Sequence, residues 1–505
     1  MKKTFLIFTV TLLCLCTCER NSEPTISVDS TTTTIKSIDD VTDTIKNDED
    51  LVENTTFSTD VISITYNGSS ATITNPWEGK GVEISNDNGT IVCTSTADER
   101  IEYIISGNGT GSLKIYSEKK LKLSLNDLTL SNANGPAINL QGKKRQFVVL
   151  SGTNTLTGKG YDTADGDEQA KATIFSEGQI IISGSGSLNI TSNGKHGIAS
   201  DDYVRICNGD IVINATNSSA CGDGINCNDG FIMDDGTLSI NAYDEGIQSG
   251  DDDDAGYCYI TGGTLHITVQ NGDGIKSYGN TLIHDGNISI TATGSNSEGL
   301  ESKAQILIEG GQVEIESYDD GINASTLLTI NGGWVYAKSN NNDAIDSNGD
   351  ISISGGVIVA IGSRDPETAF DIDEGTLSIT GGTILSISPN NNMFVYPSTT
   401  STQYSIWTTV NKSTTYNISN STNDEAINFE TPSVNYTPKV LVSSPLMTSG
   451  NNTLTSGVTL SGGTNWHGLY IGATHNGGSS STTINAQLGS ANSQSGGPGG
   501  PGGRP

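Results

Sequence analysis

Acidic residues recur at one position of this chain, directly before a glycine or alanine that precedes a short apolar run. A second set of carboxylates follows two residues after that small residue. The first set is Asp223, Asp244, Glu245, Asp273, Glu298, Asp319, Asp320 and Asp343, and the second is Glu301 and Asp346. Carboxylate oxygens are the ligands that hard cations such as Ca²⁺ prefer. What these residues can do therefore depends on whether the fold brings them together.

The acidic position belongs to a repeat that fills the middle of the sequence. Two consecutive copies cover 295–317 and 317–339, and the second begins where the first ends. The small residue recurs at Gly197, Gly224, Gly246, Gly274, Gly299, Gly321, Ala344 and Ala369. A period of roughly 22 residues with tolerated insertions is typical of a solenoid.

The second half of each copy predicts β-strands. Apolar residues alternate before and after a glycine pair, as in Ile306 and Ile308, then Val313 and Ile315. A period of two in β-favouring residues indicates strands, and the glycine pair marks the bend between them. We therefore predict an all-β fold, a right-handed parallel β-helix of about ten coils, with Val335 and Ile353 pointing inward. Stacked coils lie ~4.8 Å apart, giving a rod of about 45 to 50 Å.

Stacking changes the meaning of the acidic position. Two carboxylates ~4.8 Å apart repel by roughly 3 kcal/mol at an effective dielectric near 20. Calcium would neutralise them, because Ca–O distances of ~2.3 to 2.6 Å let one ion span one coil step. The alternative is a solvated acidic edge without ions. The formal net charge of -32, from 25 Lys and Arg against 57 Asp and Glu, argues against nucleic acid and anionic membrane surfaces as partners.

The two ends of the chain differ in composition from the repeat. Residues 1–18 resemble a secretory signal, and Cys18 occupies the position of a lipidated cysteine in a bacterial lipobox. We predict a flexible tether at 19–60, the β-helix at 61–395, a C-terminal β cap at 396–489 and a Gly/Pro tail at 490–505. A lipidated Cys18 would place the protein outside the cell, anchored at the bacterial cell surface or outer membrane.

Several motifs resemble a known family, the calcium-containing right-handed β-helix proteins with carbohydrate-binding function, first described in a cellulolytic clostridium and similar in architecture to pectate lyases. They include KHGIASDD at 195–202, SEGLES at 297–302 and DDGINAS at 319–325. The resemblance covers roughly residues 61–465. It implies binding of acidic plant cell-wall glycan and cellulose, with calcium ligands among Asp223, Asp273, Glu298, Asp319, Asp320 and Asp343. Two departures are NDAID, where a glycine is expected, and an acidic insert at 251–254.

Three functions remain open at this stage. The first is non-catalytic binding of acidic pectin or polygalacturonate, and of cellulose, with aromatic side chains stacking on sugar rings. Candidate stacking residues are Tyr243, Tyr278, Tyr318, Trp334 and Tyr336. The second is a calcium-dependent polysaccharide lyase, for which Lys276 or Lys303 would be the base. The third is a structural surface adhesin or scaffold without a sugar ligand.

Overall fold

The computed structural model describes residues 33–165 and 168–490. The predicted signal at 1–18, Cys18, the first part of the tether and nearly all of the Gly/Pro tail lie outside these residues. Within the part described, no helix is both long enough and apolar enough to cross a membrane.

The chain winds into a parallel β-helix of twelve coils, two more than the sequence predicts. Each coil contributes strands to three faces, which we call C, A and B in chain order, and coils are numbered by their face C strand. The face C strands are Thr90–Ser95, Ser112–Ser117, Ile138–Gln141, Ala172–Ser176, His196–Ser200, Ile225–Cys227, Ile247–Ser249, Ile275–Ser277, Leu300–Ser302, Ile322–Ala324, Ile345–Ser347 and Phe370–Ile372. The first coils lack the acidic turn, which is why counting the motif underestimates the length.

Faces A and B are also parallel through most of the rod. In coils 1 and 2 the single strands Glu102–Thr110 and Leu121–Ser131 run through both faces. Face A continues with Gln146–Ser151, Ile180–Gly184, Tyr203–Ile206, Gly230–Met233, Tyr257–Ile260, Thr281–Ile283, Gln305–Ile308, Leu327–Ile330, Asp350–Ile353 and Leu377–Ile379. Face B continues with Thr153–Gly158, Ser187–Ser192, Asp210–Ala215, Thr237–Ala242, Thr264–Val269, Asn287–Ala292, Gln312–Ser317, Trp334–Ser339, Val357–Ile361 and Thr383–Pro389.

Alternating apolar residues fill the interior of the rod. Val335 and Ile353 both have 0% exposure in the central core cluster, so the predicted register is confirmed. The second glycine of each pair between faces A and B adopts positive φ, for example 74° at Gly311. Such a φ favours glycine over other residues.

The turn glycine before face C is required for a different reason, namely close packing. A Cβ at Gly299 would lie 2.1 Å from Cγ2 of Ile315 on face B. Gly321 instead meets Ala337, and Ala360 follows Ala337 in the same row. The coil that reads NDAID can therefore carry Ala344, because the facing side chain in the core has become small.

Additional strands close both ends of the rod. At the first coil, Ile62–Gly68 pairs with Ser70–Thr74, and Val82–Asp87 pairs antiparallel with Thr90–Ser95. At the last coil, Pro438–Ser443 pairs antiparallel with Thr383–Pro389 and with Ser405–Thr409. The rest of the cap consists of Thr415–Ser419, Ile427–Glu430, Gly450–Ser456, Thr459–Ser461, Thr464–Trp466, Leu469–Ile471, Thr474–Asn476 and Ser480–Ala486. A small hairpin, Tyr161–Asp165 with Glu168–Ala170, projects ahead of coil 4.

The described part of the predicted tether differs from a flexible linker. It contains 3-10 turns at Ile38–Val41, Asp48–Asp50 and Val52–Asn54 and an α-helical turn at Thr42–Ile45. Ile35, Val41 and Ile45 are buried against Tyr259, Leu282 and Leu307 on the outer side of face A. Apolar packing on the rod therefore replaces the tether predicted for residues 33–60.

Candidate functional site

The predicted acidic residues form two parallel rows along face C. The turn row consists of the residue before each turn glycine or alanine. From Asp223 onward, its backbone carbonyl accepts a hydrogen bond from the small residue of the preceding coil. It reads His196, Asp223, Glu245, Asp273, Glu298, Asp320, Asp343 and Thr368. The strand row is the middle residue of each face C strand and reads Asn226, Gln248, Lys276, Glu301, Asn323, Asp346 and Asp371. Asp244 and Asp319 precede the turn row by one residue.

Histidine and lysine side chains accompany the rows in coils 5 to 9. His196 Nδ1 lies 3.1 Å from Oδ2 of Asp223. Lys276 Nζ lies 3.1 Å from Oε2 of Glu301 and 3.7 Å from Oδ2 of Asp273. Lys303 Nζ lies 2.5 Å from the other oxygen of Glu301. Five of these six side chains are at most 7% exposed, so Asp223, Asp273 and Glu301 have buried partners within the protein.

Both candidate lyase bases, Lys276 and Lys303, belong to these ion pairs. A lysine removes a proton only when it is neutral, and a paired carboxylate stabilises the ammonium form. The geometry therefore gives no support to either lysine as a base.

Asp223, Asp244 and Glu245 form the tightest group of possible ligands. One carboxylate oxygen from each lies within 4.8 Å of the others. Burial is the largest single influence on the pKa of Asp223 and raises it, but His196, Asn226 and Lys195 together outweigh burial and the net pKa is lowered. Burial and the charge of Asp223 raise the pKa of Asp244, and they raise the pKa of Glu245 well above its usual range. The group thus offers three carboxylate oxygens, which hard cations prefer, and these carboxylates repel one another.

In coils 10 to 12 the rows contain carboxylates without such partners. Among the described residues, Asp320, Asp343, Asp346 and Asp371 have no cationic side chain within 4 Å. Oδ1 of Asp346 and Oδ1 of Asp371 are buried and accept no hydrogen bond from the protein. Buried polar oxygens are normally paired, so two orphans in neighbouring coils are unusual.

The pKa values in this region reflect burial and mutual repulsion. Burial, followed by the charges of Asp371 and Asp373, raises the pKa of Asp346 to about 8. Burial and neighbouring carboxylates also raise the pKa values of Asp320 and Asp343 well above the usual range. Backbone amides offset only part of this, since Oδ1 of Asp320 accepts from the N–H of Asp343 at 3.0 Å. The site in coils 10 to 12 is electrostatically incomplete in the protein alone.

A polar groove adjoins this end of the strand row, at the turn from face C to face A. Its volume is about 570 Å³. Its lining is hydroxyl, amide, carboxylate and backbone, from Ser325, Thr326, Asn348, Gly349, Asp350, Asp373, Glu374 and Gly375. In each of three coils, the residues that line the groove come a few positions after Asn323, Asp346 or Asp371 in the sequence.

The candidate stacking aromatics fall into two groups. Tyr318, which is 36% exposed, and Tyr243 both occupy the turn from face B to face C. Tyr278 lies after a face C strand, with Nζ of Lys276 5.7 Å from its ring centre. These three rings border the acidic rows.

Trp334 and Tyr336 point outward from face B, as predicted, but the cap covers them. The Trp334 ring packs edge-on against Trp466 at 5.4 Å, and Tyr336 stacks on His467 at 3.6 Å. Tyr336 is only 5% exposed. Cap residues more than a hundred positions away in the sequence therefore contact both rings, and His467 covers one face of Tyr336.

Sequence reasoning missed three members of the site. His196 begins the turn row, and Asp371 and Asp373 extend the acidic region into the last coil. Asp371 was detectable, since it lies two residues after Ala369, as Asp346 lies two residues after Ala344. His196 also directly precedes an aligned turn glycine, Gly197, but a search for carboxylates alone passes over it.

Comparisons with known proteins relate this chain to one solved structure and to one protein family. No protein of curated function matches the sequence. Among solved structures, a polysaccharide lyase-like protein from C. thermocellum, in a gadolinium derivative, matches with 21% identity and a TM-score of 0.42, covering 49% of this chain and 96% of that chain. A sequence model of the carbohydrate-binding domain-containing protein family matches residues 78–342, which is more than half of the 505 residues. The chain belongs to this carbohydrate-binding domain-containing family.

Proposed function

We propose that this protein binds acidic plant cell-wall polysaccharide, such as polygalacturonate, through calcium ions held along face C, with cellulose as a second ligand and without catalysis. The observation that carries the proposal is the uncompensated acidic stretch in coils 10 to 12. Its buried orphan oxygens on Asp346 and Asp371 need a positive partner that the described chain does not supply.

The residues present fit calcium better than softer metals. All donors in both acidic groups are carboxylate oxygens, with amide and backbone oxygens nearby, and hard oxygen sets favour Ca²⁺ or Mg²⁺ over zinc or copper. Coil-to-coil spacing of ~4.8 Å suits the longer Ca–O bond and its flexible geometry. Asp346 and Asp371 would hold one ion, and Asp223, Asp244 and Glu245 are the second candidate group.

The groove beside the strand row supports a polysaccharide as the partner. Hydroxyl and amide groups of Ser325, Thr326 and Asn348 can exchange hydrogen bonds with sugar hydroxyls. A chain of net charge -32 repels a polyuronate. Bound calcium would reverse that repulsion locally by joining protein carboxylates to sugar carboxylates, while Tyr243 and Tyr318 offer apolar ring faces at the opposite turn.

A binding titration tests the proposal against both alternatives. Protein comprising residues 19–505 is titrated with polygalacturonate and with cellulose, in calcium and in chelator, while the absorbance of unsaturated product is followed. We expect calcium-dependent binding to polygalacturonate and no absorbance increase. Accumulating product would establish a lyase, and retained calcium with no glycan bound would establish a scaffold.

Paired variants locate the site. Asp346→Asn with Asp371→Asn removes two carboxylates from the strand row, while Asp235→Asn with Asp285→Asn removes two exposed ones from the turn between faces A and B. Both pairs change the net charge equally. Only the first should weaken calcium and polygalacturonate binding; equal effects would place the binding elsewhere.

We also propose that the protein is secreted and held at the bacterial surface through a lipid on Cys18. Replacement Cys18→Ser should release it into the medium, whereas continued membrane fractionation of that variant would contradict the anchor.

A further inference from the structure

The outward-facing row of face A changes character along the rod. From coil 3 to coil 9 it is apolar apart from one arginine, and it reads Phe147, Ile181, Arg205, Ile232, Tyr259, Leu282 and Leu307. From coil 10 onward it is polar, with Thr329, Ser352 and Ser378. An outward apolar row needs a cover, and this one ends at coil 9, beside which the described chain begins.

That cover is the segment 33–57, which we call the strap. Its first residues bind coils 8 and 9. Gln305 receives the Ile35 N–H at 2.9 Å and donates to the Ile35 carbonyl at 2.5 Å, so one side chain satisfies both backbone groups. The Thr33 carbonyl accepts from Asn280 at 3.0 Å, and the Ile38 N–H donates to Glu309 at 3.2 Å.

The other end of the strap is held by a buried carboxylate. Asp50, 1% exposed, accepts from Nε of Arg145 at 2.7 Å and from a guanidinium nitrogen of Arg205 at 3.0 Å, and also from the Tyr203 hydroxyl. Arg205 additionally donates to the Ile45 carbonyl at 2.6 Å. A buried carboxylate that loses such partners is strongly destabilised, so this end resists local detachment.

The strap runs against the order of the coils. It starts on coils 8 and 9 and reaches coil 3, where Phe57 packs edge-on against Phe147. It ends in coil 1, where the Ser58 N–H donates to the Arg100 carbonyl between faces C and A. The described chain therefore begins beside coils 8 and 9 rather than at the first coil.

We propose that the strap is a mechanical clasp. It transmits tension on the chain before residue 33 to coil 9, so that coils 1 to 8 do not bear that tension. Without it, the same tension would reach residue 58 and pull the first coil away from the end of the rod. With it, the force enters one coil from the acidic stretch of coils 10 to 12. The clasp itself does not depend on what those coils bind.

Single-molecule pulling on the full chain, with handles at the N and C termini, tests the clasp. The variant Asp50→Asn should show a separate low-force extension of roughly 80 Å before the rod unfolds, from about 25 strap residues at ~3.4 Å each. Wild type and the control Asp48→Asn, an exposed strap carboxylate two residues away, should lack that step. The step occurring in wild type at the same force, or absent from Asp50→Asn, would overturn the proposal.

Hydrogen exchange covers the case in which Asp50→Asn loses more than the strap. In wild type, the Ile35 and Ile38 amides should exchange as slowly as amides in the face C strands. The variant Gln305→Leu removes the polar side chain and leaves the outward apolar row intact. It should speed exchange at these two amides at least tenfold, while exchange of the face C amides is unchanged. Fast exchange of both amides in wild type would show that the strap is not held, and the clasp would be rejected.

Discussion

Coils 5 to 9 and coils 10 to 12 carry the same acidic turn and neutralise it by different means. In the first stretch, His196, Lys276 and Lys303 lie within 4 Å of the acidic groups. In the second, Asp320, Asp343, Asp346 and Asp371 are surrounded by each other and have raised pKa values. One repeat can therefore serve as structure where it includes its own cations and as a binding surface where it does not.

The contrast has a simple physical origin. Each coil is set ~4.8 Å from the next, so the partner of a carboxylate is decided by the residue stacked on it. Glu301 stacks on Lys276, whereas Asp371 stacks on Asp346. A single substitution in the strand row is enough to change a paired coil into one that attracts a cation.

Replacement of Lys276 should produce the largest loss of stability. Lys276→Met leaves Asp273 and Glu301 without a shared cation in a buried site, at a cost of about 3 to 5 kcal/mol. Because this pairing is internal, the loss should be the same with calcium and with chelator. Chemical denaturation under both conditions measures it. A loss that calcium fully restores would mean that the group of Asp273, Lys276 and Glu301 also depends on bound ions.

The effect of replacing Asp346 on the stability of the fold should have opposite signs in chelator and in calcium. In chelator, Asp346→Asn removes one of several repelling carboxylates and should stabilise the fold by roughly 1 to 2 kcal/mol. In calcium it removes a ligand and should destabilise by a similar amount. Thermal melts of this variant and of Asp285→Asn, an exposed control, provide the comparison. If Asp346→Asn destabilises in both conditions, repulsion is not what dominates this stretch.

The two stretches should also respond to pH in different windows. The raised pKa of Asp346, about 8 in the folded protein, means that the folded state keeps a proton that the unfolded chain loses near pH 4. That contribution to stability is present below pH 4 and disappears as pH rises to about 8. The lowered pKa of Asp223 acts oppositely, since its contribution is present above about pH 4 and lost in acid.

Melting of the calcium-free protein and of Asp346→Asn is compared between pH 5 and 8, because Asp244 and Glu245 in the first stretch also have raised pKa values. The midpoint should fall by several degrees as pH rises, and added calcium should flatten the curve, because metal binding displaces the proton. A midpoint that rises over this range without calcium would contradict the assignment.

The sequence was informative wherever structure follows from the repeat. Alternation predicts the inward positions of Val335 and Ile353, and the aligned turns predict which carboxylates share a row. The cover on Trp334 could not be predicted, because the cap strand that supplies Trp466 is remote in sequence. The strap left a readable signal: face A runs such as 180–182 and 306–308 are apolar without alternation, which indicates burial on both sides.

Polygalacturonate binding by a double variant gives the smallest expected effect and the most direct functional test. Asp319→Asn with Asp320→Asn removes two neighbouring carboxylates at the turn that begins coil 10. If calcium joins these groups to uronate, affinity for polygalacturonate should fall about tenfold while binding to cellulose is unchanged. Simple electrostatics predicts the reverse, because a less negative protein attracts a polyanion better. Tighter binding by the folded variant would reject the calcium bridge, and equal losses for both glycans would indicate damage to the coil.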